Sequence, residues 1–298
     1  MIRLAHFSDI HVTTPTLEWQ REDWFNKRLT SWFNMRFLGR GKRFAHAEEV
    51  ACRMMDEIAV RNIDHLIFSG DATALGFESE IRRAAEVLRG GELAIPSLAI
   101  PGNHDYCTET AAASGHFERY FSAWQTGRRI DEQHYPFAQP VGPICLIAVN
   151  AATANPWAWD AGGAIGIAQL ERLKRLLAEL ETGIKILVLH YPICLKNGQR
   201  EPGYHGLRDL DALLDIANAG GVNLWLHGHR HGAYHFQKPA KANFPVICAG
   251  SATQTGLWSY GEYTIHDTTL TALRREYDPT TKRFRDAETF SLSLSHNR

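Results

Sequence analysis

Six short apolar runs set the tightest limit on how this chain folds. They are Arg3–Ser8, Asp64–Ser69, Ile95–Ile100, Pro143–Asn150, Lys185–His190 and Val222–Leu226, and each ends on or runs into Gly, Asp, Asn or His. Short apolar runs bounded by turn formers read as buried strands. Between them, Ala45–Arg61, Glu78–Arg89, Ile167–Glu181 and Leu207–Asn218 carry apolar residues at helical spacing. In the third, Leu170, Leu173, Leu176, Leu177 and Leu180 form one stripe. Strands alternating with helices predict a layered α/β fold.

Past residue 243 the pattern changes. Phe244–Ala249, Tyr260–Ile265 and Leu270–Tyr277 read as strands with tight turns between them, a meander that predicts antiparallel pairing. The polar tail Leu292–Arg298 reads as a frayed end. No repeat, low-complexity tract or Pro/Gly/Ser linker divides the 298 residues, so one domain spanning 1–298 is expected.

The residues at the strand ends are those that bind metals. Asp9 and His11 follow the first run, Asp71 the second, Asn103, His104 and Asp105 the third; His190 closes the Lys185 run, and His229 and His231 follow the last. Loops at the carboxyl ends of strands are where α/β folds hold ligands. Carboxylate, imidazole and amide oxygen together suit zinc, manganese or iron better than calcium. Two ions sharing one carboxylate need about four protein ligands each, with positions left for water and substrate. Gly70, Gly102 and Gly228 permit tight turns and close backbone approach beside such ions.

Taken in order, Asp9-x-His11, Gly70-Asp71, Gly102-Asn103-His104-Asp105, His190 and Gly228-His229-x-His231 resemble the calcineurin-like metallophosphoesterase superfamily. Its blocks are D-x-H, G-D, G-N-H-[DE], a lone H and G-H-x-H, and the five together are far more specific than any one. The resemblance implies a four-layer α/β/β/α sandwich of two mixed β-sheets flanked by helices. It implies two divalent or mixed-valence metal ions, manganese, iron or zinc. Asp9, His11, Asp71 and His231 would hold the first, with Asp71 bridging; Asn103, His190 and His229 would complete the second. His104 corresponds to the family's unliganded catalytic acid, and Asp105 either orients it or ties down its turn.

The implied reaction is hydrolysis of a phosphodiester or pyrophosphate bond by a hydroxide shared between the ions, in a substrate such as a cyclic nucleotide or nucleotide-lipid. Phosphoserine phosphatases of the superfamily carry G-D-x-V-D-R-G and G-N-H-E. This chain has Gly70-Asp71-Ala72-Thr73-Ala74-Leu75 and Asp105, which favours a phosphodiesterase of the bacterial type. The alternatives are a phosphomonoesterase or a nuclease. A metal-free scaffold would bury carboxylates and imidazoles with nothing to neutralise them.

Composition narrows the setting. Net charge is −1, without the basic excess of a dedicated nucleic-acid binder, so nucleic acid is not the expected partner. The five cysteines, Cys52, Cys107, Cys145, Cys194 and Cys248, are odd in number and lack a CxxC pair, which fits a reducing compartment. Met1 leads straight into the first run with no apolar leader, and the chain reads as cytoplasmic.

The segment from Trp19 to Phe44 interleaves aromatic residues with Arg21, Lys27, Arg28, Arg36, Arg40, Lys42 and Arg43. It reads either as a lid receiving an amphiphilic anionic substrate or touching a membrane surface, or as an amphipathic helix packed on the domain with its basic residues solvated. Tyr106–Tyr135 reads as core packing, and Pro156–Trp159 as a rim. Of the remaining histidines, His205 in the glycine-rich loop Gly203–Gly206 is a candidate for touching substrate.

Overall fold

A computed structural model of the chain describes residues 1–89, 92–181 and 183–295. Two six-stranded sheets face each other. The first has the order β12-β11-β10-β1-β2-β3, built from β1 (Ile2–Phe7), β2 (His65–Phe68), β3 (Ser97–Ala99), β10 (Ser259–His266), β11 (Thr269–Asp278) and β12 (Arg283–Ser293). The second has the order β4-β5-β6-β7-β9-β8, built from β4 (Phe137–Val141), β5 (Ile144–Ala148), β6 (Ile184–Val188), β7 (Val222–His227), β8 (Tyr234–Phe236) and β9 (Val246–Cys248). Both sheets are mixed. The central strands run parallel, β1 with β2 and β3, β5 with β6 and β7, while antiparallel strands occupy the flanks.

Alternation within β1 shows how the layers bind. Leu4 points into a core shared with Leu187, Trp225 and Ile265, and Ala5 and Phe7 point into a second core under the helices. There α1 (Lys27–Phe37) and α2 (Arg40–Arg43) precede α3 (Ala47–Ala59) and α4 (Glu78–Val87), and Val50, Met54, Ile58, Ile81 and Ala84 of the last two seal the outer face of the first sheet. Two short helices follow, α5 (Glu109–Ala113) and α6 (His116–Tyr120). The stripe of α7 (Ile167–Glu179) and that of α8 (Leu210–Ala219) cover the second sheet. The result is the four-layer α/β/β/α sandwich, with periodicity 2 in strands and 3.6 in helices each turned to a core.

Two expectations are corrected. Phe244–Ala249 does not join the late meander; its strand β9 runs parallel to β7 in the second sheet, and the meander is β10-β11-β12. The tail is not frayed from Leu292, which is buried and pairs with Leu270; residues 296–298 lie outside the described residues. β12 escaped sequence reading because most of it is exposed on a sheet edge, anchored by Phe284 and Leu292.

Candidate metal centre

β1, β2 and β3 end on one side of the first sheet, and β6 and β7 end on one side of the second. All the strand-end residues meet in the space between these edges. The loops are held in costly conformations. Asp9, His11, Asp71 and His229 have φ of 55°, 44°, 58° and 64°, the left-handed region that non-glycine residues avoid at about 1–2 kcal/mol each. Hydrogen bonds impose this: Asp9 N–H donates to the Gly70 carbonyl at 2.9 Å, His11 N–H to the Asp71 carbonyl at 3.1 Å, and Ser251 Oγ to the Asp9 carbonyl at 2.7 Å. A Cβ on Gly102 would overlap the Asp71 carboxylate, and one on Gly228 would overlap Ser8.

Each carboxylate divides its oxygens between two tasks. Asp9 Oδ2 accepts from His229 N–H at 3.0 Å, and Asp71 Oδ1 from His104 N–H at 2.8 Å. The other oxygens face imidazoles. Asp9 Oδ1 lies 3.4 Å from His231 Nε2 and 3.8 Å from His11 Nε2; Asp71 Oδ2 lies 3.3 Å from His190 Nε2 and 3.7 Å from His11 Nε2. On the second side, His229 Nδ1 stands 3.0 Å from Asn103 Oδ1. All seven sequence-predicted ligands therefore converge, with Asp71 at the junction of two groups.

The far ring nitrogens decide the tautomers. His11 Nδ1 donates to the Thr73 carbonyl at 3.1 Å, His190 Nδ1 to the Ser69 carbonyl at 2.7 Å, and His231 Nδ1 to Gln254 Oε1. His229 Nε2 faces Glu201 Oε2 at 3.7 Å. Each near nitrogen is then a lone pair aimed inward, the arrangement metal-bound histidines adopt.

Without a cation this arrangement repels itself. Two acceptor nitrogens, His11 Nε2 and His231 Nε2, face each other at 3.3 Å, and the buried atoms Asp9 Oδ1 and His190 Nε2 have no hydrogen-bond partner. Burial works to lower His190, but Asp71 and Asp9 push it up to about 9. Burial works to raise Asp9, but His11 and His231 hold it well below the usual carboxylate range. These are the responses of a ligand set that takes protons in place of metal ions, and the donor set fits two borderline divalent ions.

His104 stands beside this centre. Its Nδ1 donates to the Ala74 carbonyl at 2.8 Å, and its Nε2 accepts from Arg40 at 2.7 Å. Burial, and then Arg40, hold its pKa well below the ordinary value, so the ring is neutral and its Nε2 is a lone pair turned to the cleft. Asp105 resolves between its two roles. Its carboxylate accepts from Gly102, Ala72 and Thr73 N–H at 2.9–3.2 Å, tying down the turn without a hydrogen bond to the His104 ring.

The cleft over the centre has a volume of about 840 Å³, and His205 lies on its wall. The 19–44 segment forms another wall. Trp19, Trp32 and Met35 pack on Ala74, Leu75 and Phe77, while Trp24, Phe25, Phe33, Phe37 and Leu38 are exposed. Its basic residues are not all solvated, because Lys27 and Arg28 are buried and Arg28 donates to Asp23 at 2.6 Å and to two carbonyls. Phe117, Phe121 and Trp124 of the Tyr106–Tyr135 stretch belong to the core, and Trp157 and Trp159 stack at 5.1 Å on the surface. Sequence reading placed Arg40 in the aromatic-basic segment without giving it a partner at the site, and missed Glu201 and Gln254. No spacing rule links them to the ligand blocks, and only the fold brings them there.

The sequence relationship agrees with the geometry. A family model described as calcineurin-like phosphoesterase matches residues 2–233. The chain belongs to this family. A "probable cyclic nucleotide phosphodiesterase" of Pseudoalteromonas sp. (strain SM9913) is 24% identical over 237 residues, covering 79% of this chain and 74% of that protein. Among solved structures, a dimetal phosphatase from Danio rerio superposes with a TM-score of 0.67 at 11% identity, covering 99% of each chain. Purple acid phosphatase PPD1 from yellow lupin (Lupinus luteus) gives 0.60 at 13% identity, covering 98% of this chain and 53% of that one. At such identities the two structures speak for the fold. No helix among the described residues is long and apolar enough to cross a membrane.

Proposed function

We propose that this member of the calcineurin-like phosphoesterase family hydrolyses a phosphodiester. Convergence of two carboxylate oxygens, four imidazole nitrogens and one amide oxygen around Asp9 and Asp71 is the observation that carries the reading. Asp9, His11, Asp71 and His231 would hold one metal ion, and Asp71, Asn103, His190 and His229 the other. When bound, such a pair supplies Lewis acidity and a water of lowered pKa.

The chain's own groups do the rest. His104, fixed by Ala74, offers Nε2 to a phosphoryl or leaving-group oxygen. Being neutral, it receives a proton before it can donate one, and Arg40 at 2.7 Å compensates developing negative charge beside it. The αL loops keep the ligand atoms in place, so little reorganisation is needed on substrate binding.

The relative's name and the departure from the phosphoserine-phosphatase blocks favour diester over monoester. Cyclic nucleotides are the first substrates to assay. The exposed aromatic residues of the 19–44 lid support nucleotide-lipids as the second class. The test compares bis(p-nitrophenyl) phosphate with p-nitrophenyl phosphate, using manganese-loaded wild type and Asp71→Asn. Diester turnover lost in the variant is expected. Preference for the monoester would move the protein to the phosphatase class, and no turnover of either with two ions bound would count against both.

A further inference from the structure

Positive charge gathers in the cleft beyond what one diester needs. Lys27, Arg40, Arg43, Lys196 and Arg230 line it. Arg230 is neutralised by Glu201 at 2.8 Å. The others have no carboxylate partner among the described residues. Arg40 donates to the neutral His104 ring, and Lys27 Nζ donates to the Asp160 carbonyl at 3.0 Å, while the Asp160 carboxylate is taken by Arg208 at 2.7 Å. Burial, and to a smaller extent the neighbouring Arg43, lower the pKa of Arg40 against the pull of Asp71.

A charge count shows the excess. Two divalent ions against Asp9, Asp71 and a hydroxide leave one positive charge, which a single diester anion cancels. The charges of Lys27, Arg43 and Lys196 are then left without a carboxylate partner among the described residues, with Arg40 beside His104 shared between the reacting position and theirs. Clustered unpaired cations repel one another, and a compensating anion relieves that repulsion. The cleft of about 840 Å³ is wide enough for a ligand much larger than one phosphate.

We propose that Lys27, Arg40 and Arg43 of the inserted segment, with Lys196 on the cleft wall, form a second anion subsite that holds a substrate phosphate other than the one hydrolysed. The inference rests on the phosphodiesterase reading for its hydrolytic part. It makes the lid the element that selects doubly phosphorylated small molecules over simple diesters. A polynucleotide is disfavoured, because the net charge of the chain is −1 and this basic cluster sits within the cleft.

The experiment uses manganese-loaded full chain and p-nitrophenyl esters of thymidine 5′-phosphate. A second phosphate is placed either on the 3′-oxygen or through a pyrophosphate linkage. The readout is the ratio of kcat/KM with and without the second phosphate, so a general loss of activity cancels. In wild type at low salt at least one probe is expected to gain tenfold or more. Arg43→Ala and Lys196→Ala should each cut that gain severalfold, as should 0.5 M salt. No gain with either probe, or a gain unchanged in both variants, overturns the subsite. Faster cleavage of a single-stranded oligonucleotide than of either probe also overturns it. If no ester is turned over, the phosphodiesterase reading fails on its own. Calorimetric titration with thymidine 3′,5′-bisphosphate and thymidine 5′-phosphate then judges the subsite. Tighter bisphosphate binding that Arg43→Ala abolishes supports it, and equal binding refutes it.

Discussion

Replacing Glu201 by alanine isolates the contribution of a residue that no motif announces. Glu201 is buried, and its Oε2 and His229 Nε2, 3.7 Å apart, are both buried atoms without another partner. The carboxylate thus selects the tautomer that turns His229 Nδ1 towards Asn103 and the second metal position. In the variant, Nε2–H is left in a dry pocket or the proton moves to Nδ1, where it blocks the metal. Loss of such an outer partner typically weakens metal affinity about 10–100-fold, about 1.4–2.7 kcal/mol. Arg230, the other partner of Glu201, has a side chain 45% exposed, so water takes over its hydrogen bonds and little of the loss falls there. Isothermal titration of Mn²⁺ into metal-free protein reads both sites separately. Glu201→Ala should weaken one site by that factor and leave the other near wild type. Glu201→Gln keeps an acceptor oxygen and should recover most of the affinity. Circular dichroism of each metal-free variant checks the fold. Wild-type affinity at both sites in Glu201→Ala, or equal weakening at both, would refute the reasoning.

Other perturbations test the frame around the site. Burial pushes the Glu80 carboxyl up to about 7 from 4.5, against Thr13 and two backbone N–H groups. A folded-state pKa above the unfolded one means stability is full below about pH 4.5 and is lost as pH rises through 7. Relative to wild type, Glu80→Gln should therefore gain about 3 kcal/mol between pH 4.5 and pH 8, read as the difference of their urea unfolding free energies; a flat difference contradicts it. Arg28→Ala strands the buried Asp23 carboxylate and should cost about 3–5 kcal/mol by urea denaturation, with loosened protease-sensitive bonds between residues 19 and 44. Gly102→Ala drives a methyl into the Asp71 carboxylate, so metal-loaded protein should hold fewer than two ions by elemental analysis while a control such as Gly203→Ala, in open space, keeps both.

Much of the molecule could be read from local pattern. The six apolar runs and four helices lie within a few residues of their expected places, because a strand or helix that buries one face must repeat apolar residues at its own period. The ligand blocks were legible for a related reason. A strand end fixes where a side chain is presented, so Asp9, Asp71, Asn103, His190, His229 and His231 each sit at or shortly past the end of an apolar run. What defeated local reading was pairing. Nothing in Val246–Cys248 tells whether it joins the neighbouring meander or crosses to β7, and the largely exposed β12 carries only a sparse apolar signal at Phe284, Phe290 and Leu292.

Sequence by itself determined the candidate ligand set, the layered architecture and the family. Tertiary structure alone decided which oxygen of each aspartate faces inward, that Asp105 ties a turn, that His104 is neutral beside Arg40, and that Glu201 backs His229. The physical reason is range. Periodicity and turn chemistry act over a few residues along the chain, whereas burial, tautomer and charge depend on atoms such as Arg40 and His104, or Glu201 and His229, that are distant in sequence and meet only when both sheets close.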